Sequence, residues 1–180
     1  MKQKKEHLNL IKEWINDNEF FSKIKLGFSA KRDGFDSKIF HEKCDNQGKT
    51  LVIIKSKDNY ICGGYTKVGW IEGKDYIYIA DPDAFIFTIK NPKNYSPQKI
   101  PIKKENPDKS LYYVSNYGPT FGNGIDLGIN TSNMNQGRSV YFGYWYVLPE
   151  GIKYGTEESN NFFAGHGGTW PIEEIECFLN

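Results

Sequence analysis

From residue 50 onward the apolar residues occur in short runs separated by glycine, proline, asparagine and aspartate. Runs of about four to eight residues rich in Val, Ile, Phe and Tyr are typical of β-strands, and the breakers between them mark turns. Many such strands with few helices pack most readily as two stacked sheets. The sequence therefore predicts a β-sandwich with strands over residues 50–57, 60–68, 76–80, 84–90, 99–102, 111–115, 125–129, 140–147 and 174–179.

The first two runs predict a hairpin. Asp58 and Asn59 lie between them, and both residue types tolerate the positive φ of a two-residue turn. Such a turn would place Ile54 opposite Gly63. The core-facing side of this hairpin would then carry Val52, Ile54, Ile61 and Tyr65.

Two helices are predicted before the strands. The first would lie on the domain or on a partner through an apolar stripe with helical spacing: Leu8, Ile11, Trp14 and Ile15. The second would run from about 37 to 44, because Asp36 suits its N-cap and Gly48 its exit. We expect residues 1–25 to form a helix and lead-in, followed by one domain over residues 26–180.

Charge and composition exclude several classes of protein. The formal net charge of +1 gives no field suited to nucleic acid as the main partner. No apolar stretch approaches the roughly 20 residues of a membrane span, and the N-terminus lacks the apolar centre of a signal peptide. We therefore expect a cytoplasmic protein. The three cysteines, Cys44, Cys62 and Cys177, form no C-x-x-C pair, which predicts reduced thiols rather than a disulfide framework or zinc site.

No pattern in the sequence predicts a catalytic, metal or cofactor site. His41 and Glu42 are adjacent in the second helix, so their side chains point about 100° apart, and we expect solvated or capping roles. His166 lies in a glycine-rich loop without a second metal-ligating residue nearby. Asp81 and Asp83 flank a proline and are interpreted as a turn.

Two further strand segments carry informative side chains. In residues 140–147 large apolar groups fall on both faces, so either both faces are buried or one contacts a partner. In the last strand Glu174 and Glu176 point to one side, and the other side is apolar, carrying Ile175, Cys177 and Leu179.

Four blocks of the sequence, in order, resemble the TLDc domain family. The first block, residues 29–70, holds an arginine-aspartate-glycine turn, an F-H-x-x-C helix and a hairpin ending in G-G-Y-T. The others are DPDAFIF at 81–87, YGPTFGNGIDL at 117–127 and IEEIECF at 172–178. The resemblance covers about residues 26–180.

This resemblance implies an α+β fold, a TLDc-like sandwich of two mostly antiparallel sheets flanked by a few helices, without catalytic activity. Similar proteins are linked to resistance to oxidative stress and to binding of the V1 sector of the vacuolar proton-pumping ATPase. A location in the cytoplasm, at acidic-organelle membranes through a protein partner, would follow. The positions carried over as protein-binding or surface-shaping are Gly63, Gly64, Gly118, Gly122, Gly124 and Glu176.

Two other functions remain open from the sequence. One is a redox enzyme or peroxide scavenger that uses Cys44, Cys62 or a buried carboxylate. The other is a scaffold for a different protein, docked through the apolar stripe of the first helix. The oligomeric state is not predicted.

Overall fold

The computed structural model describes residues 2–73, 75–124 and 126–180, and over these residues the chain forms five α-helices and eleven strands. The helices are α1 (Lys2–Ile15), α2 (Asn18–Lys23), α3 (Ala30–Asp33), α4 (Ser37–Cys44) and α5 (Glu157–Asn160). The strands are β1 (Lys25–Ser29), β2 (Thr50–Ser56), β3 (Ile61–Thr66), β4 (Ile77–Ile79), β5 (Phe85–Lys90), β6 (Gln98–Pro101), β7 (Leu111–Tyr113), β8 (Thr120–Phe121), β9 (Leu127–Gly128), β10 (Gln136–Arg138) and β11 (Thr169–Leu179).

Two antiparallel sheets share the long strand β11. The first sheet has the order β1-β11-β2-β3-β5-β6, and the second has the order β4-β7-β8-β9-β10-β11. The start of β11 pairs with β10, whereas its later residues lie between β1 and β2. The predicted α+β fold, with two antiparallel sheets and a few flanking helices, is confirmed.

Both faces of the first sheet are buried. Its inner face packs against the second sheet. Val52 and Ile54 of β2 belong to the same buried cluster as Phe121 of β8. Its outer face is covered by α1 and α2 through a separate cluster, made of Ile11, Ile15, Phe20, Leu51, Tyr65, Phe85, Phe87 and Ile89. The apolar stripe of α1 therefore packs on a sheet of the same chain. Of the two predicted positions, on the domain or on a partner, the structure shows the first.

Helix α4 occupies the predicted range. The Asp36 carboxylate accepts a hydrogen bond from the main-chain N–H of Lys38 at 2.8 Å, which satisfies one of the donors at the helix start. Helix α2 begins in the same way, because Asp17 accepts from the N–H of Phe20 at 2.9 Å. The N-cap signals in the sequence thus determine where these helices begin.

The loop between β2 and β3 differs from the predicted two-residue turn. The N–H of Ser56 donates to the carbonyl oxygen of Tyr60 at 3.0 Å, which leaves a three-residue loop over 57–59. Asn59 has a φ of 65°, the left-handed conformation that three-residue hairpin loops require at their last position.

This longer loop shifts the register of the hairpin by one residue. Ile54 is opposite Cys62 instead of Gly63. Because a one-residue shift moves side chains to the other face, Val52 faces the core between the sheets, while Ile61 and Tyr65 face α1 and α2. The prediction that these side chains share one face is wrong.

The predicted strand over residues 140–147 is also wrong, because this segment is a loop of turns. Gly143 has a φ of 99°, which breaks an extended chain, and its N–H donates to the carboxylate of Asp126. The side chains divide between burial and exposure. Phe142 and Tyr146 are in the core, and the exposed ones are Tyr141, Tyr144 and Val147.

In the predicted strand over 125–129, residue 125 lies outside the described residues.

Candidate binding cleft

A cleft of about 280 Å³ lies between α1 and the outer face of the first sheet. Helix α1 forms one wall, and the floor consists of strand residues that are mainly apolar. A charged rim stands beside this floor. The residues that line the cleft are His7, Leu8, Ile11, Lys31, Ile53, Lys55, Ile61, Ile89, Glu174 and Glu176.

Glu176 lies in the floor of this cleft because of the strand register. It is directly opposite Ile53, Ile53 is opposite Gly63, and Gly63 is opposite Phe87. Residues directly opposite one another share a face of the sheet, so this row crosses the floor under α1. Two of the residues carried over from the resemblance, Gly63 and Glu176, are thereby brought into one row.

Gly63 is required by packing. A Cβ atom at this position would lie 2.0 Å from the carbonyl oxygen of Val52 and 2.7 Å from the ring of Phe87. No side chain fits there while the strands stay paired. Gly63 therefore sets how closely β2 and β3 approach, and the position of the cleft floor depends on that distance.

The rim of the cleft is an ordered charge network. The Glu173 carboxylate binds the ammonium groups of Lys31 at 2.7 Å and Lys55 at 2.8 Å, and these hydrogen bonds lower its pKa to about 2. The Oε1 atom of Glu174 accepts from the main-chain N–H groups of Lys31 at 3.1 Å and Ile175 at 3.0 Å. These contacts fasten α3 to β11 and hold the rim in one arrangement.

The other glycines carried over lie in different layers of the fold. A Cβ at Gly64 would lie 2.4 Å from the Phe121 ring, between the two sheets. A Cβ at Gly118 would lie 2.7 Å from the Met134 sulfur. Gly122 begins the 3₁₀ turn that Gly124 ends. Gly64, Gly118 and Gly122 shape the interior of the sandwich and do not join Glu176 in the cleft.

Asp126 is a structurally important residue that the sequence reasoning did not single out. Its buried carboxylate accepts hydrogen bonds from the N–H groups of Gly143 at 2.9 Å, Trp145 at 3.1 Å and Tyr146 at 3.2 Å. Burial nevertheless raises its pKa to about 7. Gly122 permits this arrangement, since its Cβ would lie 2.4 Å from Oδ2 of Asp126. Only the position of this aspartate in the G-N-G-I-D-L block could have indicated its importance.

His41 is buried and fastens α4 to the turn after β7. Its Nδ1 lies 2.8 Å from Asp45, and its Nε2 lies 2.9 Å from the carbonyl oxygen of Tyr117 and 3.3 Å from that of Val114. Both ring nitrogens are occupied by the protein itself. The expected solvated role is therefore wrong for His41, whereas its neighbour Glu42 is exposed.

The remaining polar candidates have structural partners. His166 forms an exposed pair with Asp58 at 2.8 Å. Asp81 is buried and accepts from the Thr66 hydroxyl and the Lys67 N–H, both at 2.7 Å. Within the described parts of the chain, no group of three or more His, Cys, Asp or Glu residues could hold a metal ion.

The three cysteines are free and buried. Burial raises the pKa of the Cys62 thiol well above its usual value, and burial together with a hydrogen bond to Cys44 does the same for Cys177. Reactivity of a cysteine needs an accessible thiolate. Burial disfavours access to all three thiols, and the raised pKa values disfavour ionisation of Cys62 and Cys177.

We therefore expect all three thiols to resist an aromatic disulfide reagent in the folded protein at neutral pH. Absorbance of the released thiolate should show full reaction of Cys44, Cys62 and Cys177 only after denaturant is added. A thiol that reacts in the folded protein as fast as free cysteine would contradict this burial and favour the redox function.

Comparison with known proteins assigns the chain to a family. The family model of the TLDc domain matches residues 3–179, a range that includes all of α1 except its first residue as well as both sheets. No curated protein matches the chain with significance. Every helix in the part of the chain that the structure describes is too short or too polar to traverse a bilayer. With its family model matched over nearly the whole chain, this protein belongs to the TLDc domain family.

Proposed function

We propose that this chain is a non-catalytic interaction domain that binds the V1 sector of the vacuolar proton-pumping ATPase and contributes to resistance to oxidative stress. Membership of the TLDc family supports this proposal, since similar proteins are linked to both properties. The domain would then act in the cytoplasm and reach acidic-organelle membranes through its partner.

The observation that carries the proposal is the position of Glu176. It lies half-buried in a cleft whose floor is apolar and whose rim carries the network of Lys31, Glu173 and Lys55. An apolar centre with a charged rim is the general arrangement of protein interfaces. Leu8, which lines the cleft and is 44% exposed, adds apolar surface that a partner can contact.

The environments of the reactive side chains support a non-catalytic role. Both nitrogens of His41 contact protein acceptors, so the ring is not presented to a substrate. The carboxylate of Asp126 is occupied by three main-chain N–H groups. Since the thiols are buried as well, no observation favours the redox enzyme over the interaction domain.

The scaffold hypothesis loses its proposed docking element. Ile11 and Ile15 are 3% and 8% exposed because they pack on the outer face of the first sheet. A partner could use these side chains only by displacing α1 from that sheet. The cleft beside α1 is accessible without such a change.

We expect Glu176→Ala to weaken recovery of V1 subunits by at least about tenfold, the loss of roughly 1.4 kcal/mol expected when an interface carboxylate is removed. Purified wild-type and variant proteins would be immobilised and incubated with V1 sectors, and the bound subunits quantified by immunoblot.

Glu150→Ala is the matched control, because Glu150 is an exposed glutamate that does not line the cleft. It should recover V1 as the wild type does. Absence of V1 from the wild-type sample under gentle conditions would refute the partner. Equal recovery by wild type and Glu176→Ala would refute the role of the cleft.

A further inference from the structure

A second cavity is an open groove on the segment that follows β10. It has a volume of about 410 Å³, and the residues that line it are Lys103, Gly143, Tyr144, Leu148 and Tyr154. We call this cavity the tyrosine groove. None of these residues lines the cleft beside α1, so binding at the groove would be independent of the residues proposed to contact V1.

Packing within the protein holds the side chains of the tyrosine groove in place. A Cβ atom at Gly143 would lie 2.3 Å from Cγ of Leu148, so the leucine side chain packs directly on this glycine. The ring centroids of Tyr144 and Tyr154 are 6.0 Å apart, and Trp145 packs edge-on against Tyr144 at 4.6 Å. The groove therefore has an aliphatic part and an aromatic part.

The aromatic part of the groove is accessible to a partner. Tyr144 and Tyr154 are 47% and 48% exposed, and Tyr141 and Val147 of the same segment are exposed as well. Exposed apolar groups that occur together mark interaction sites, whereas isolated ones are common on any surface. Tyrosine is enriched in protein interfaces because its ring offers a large contact area and its hydroxyl a hydrogen bond. These features favour a segment of another protein as the ligand.

Lys103 is the one charged residue among those that line the groove. Its ammonium group donates to the carbonyl oxygens of Gly143 at 2.9 Å and Tyr144 at 3.0 Å, which places the charge at the groove. An ammonium has three N–H donors, so these two carbonyls leave one of them for a ligand. Within the described residues, no carboxylate lies within ion-pair distance of Lys103. The buried Asp126 carboxylate nearby accepts hydrogen bonds from main-chain N–H groups instead, and the groove therefore complements a negative charge.

We propose that the tyrosine groove binds an acidic peptide segment of a partner protein, in which a large apolar side chain lies next to a carboxylate. The apolar side chain packs against Leu148 and the rings of Tyr144 and Tyr154, and this contact supplies most of the affinity. The carboxylate binds the ammonium group of Lys103. An exposed ion pair adds little affinity, but it selects acidic segments over neutral or basic ones.

An NMR titration of the isotope-labelled full chain tests this proposal with three tripeptides blocked at both ends: Asp-Phe-Glu, Asn-Phe-Gln and Asp-Gly-Glu. Asp-Phe-Glu should bind with a Kd of about 3 mM or tighter and shift the main-chain amide signals of Tyr144 and Tyr154. Asn-Phe-Gln lacks the charge and should bind at least about threefold more weakly, and Asp-Gly-Glu lacks the apolar side chain and should bind at least about tenfold more weakly. Failure of Asp-Phe-Glu to bind, or smaller differences from the control peptides, would overturn the proposal.

Tyr154→Ala locates the binding. It removes one of the two rings from the groove and should weaken binding of Asp-Phe-Glu at least about fivefold. Tyr76→Ala is the matched control, because Tyr76 is an exposed tyrosine that does not line the groove, and it should keep the wild-type Kd. A smaller loss in Tyr154→Ala, or an equal loss in both variants, would overturn the location.

Lys103→Gln isolates the charge. This variant should bind Asp-Phe-Glu no more tightly than the wild type binds Asn-Phe-Gln, and its binding of Asn-Phe-Gln should be unchanged. If the variant fails to fold, as judged by circular dichroism, sodium chloride provides the same comparison in the wild type. An increase from about 0.05 M to about 0.5 M should weaken binding of Asp-Phe-Glu at least about twofold and leave binding of Asn-Phe-Gln unchanged. An equal effect on the two peptides, including no effect on either, would overturn the acidic partner.

Discussion

Gly63→Ala is expected to lower the free energy of unfolding by at least about 3 kcal/mol, the upper end of the usual cost of overpacking. The added Cβ would lie 2.0 Å from the carbonyl oxygen of Val52, a main-chain atom in the neighbouring strand. Relief would require β2 and β3 to separate, which breaks their hydrogen bonds in the middle of the first sheet. For a domain whose total stability is about 5–15 kcal/mol, such a loss removes between about one fifth and three fifths of the free energy of unfolding.

Urea unfolding followed by tryptophan fluorescence would measure this effect. Gly73→Ala is the matched control, because a Cβ at Gly73 has its nearest neighbour at 3.7 Å, which is ordinary van der Waals contact. That variant should stay within about 0.5 kcal/mol of the wild type. A Gly63→Ala protein as stable as Gly73→Ala would show that the two strands do not approach as closely as the structure places them.

The second large effect is a dependence of stability on pH that arises from Asp126. Burial raises the pKa of this carboxyl to about 7 in the folded protein, whereas an unfolded chain has the ordinary value near 4. Between these values the folded state binds the proton more strongly than the unfolded state does. Stability is therefore greatest at the acidic end of this range and falls as the pH rises towards 7, by up to about 1.4 kcal/mol per pH unit.

Asp126→Asn removes the titration while it keeps one oxygen that accepts from the loop of Gly143, Trp145 and Tyr146. We expect the wild type to lose about 2 kcal/mol more than this variant between pH 5 and pH 7, as measured by urea unfolding at each pH. Asp108→Asn is the control, since Asp108 is exposed, and it should retain the wild-type slope. Parallel slopes in wild type and Asp126→Asn would disprove the raised pKa.

Asp126 also explains why the segment 140–147 is misread from sequence. The alternating aromatic residues favour a strand, but three main-chain N–H groups of this segment bind one buried carboxylate instead of a neighbouring strand. A single acceptor can satisfy several N–H groups only if the chain curls around it. The positive φ of Gly143 permits this curvature.

The cleft was only partly predictable. Alternation in the last strand correctly separates Glu174 and Glu176 from the apolar side, which carries Ile175, Cys177 and Leu179. The alternation does not show that α1 returns to cover the acidic face of this strand. The row of Glu176, Ile53 and Gly63 forms only because β11 pairs with β2, which places Glu176 opposite a residue more than 100 positions away in the chain.

The sequence by itself determined the structural features that depend on residues close together in the chain. The N-cap of Asp36 begins α4, the stripe of α1 is apolar, and most of the apolar runs after residue 50 contain strands, the run over 140–147 excepted. Each of these features depends on residues close together in the chain, so a pattern records them. The resemblance to the TLDc family adds the sandwich as the way in which those elements assemble.

Tertiary structure decided the hairpin register, the loop around Asp126 and the two cavities. The short strands β8 and β10 belong to this group as well and are held by their neighbours in the sheet. Thr120–Phe121 is too short to give a periodic pattern, and Gln136–Arg138 has little local preference for extended structure. A hydrogen-bond partner far away in the chain leaves no periodic signal near the residue that uses it. The binding surfaces of this protein are built from such distant partners, and therefore only the folded chain shows them.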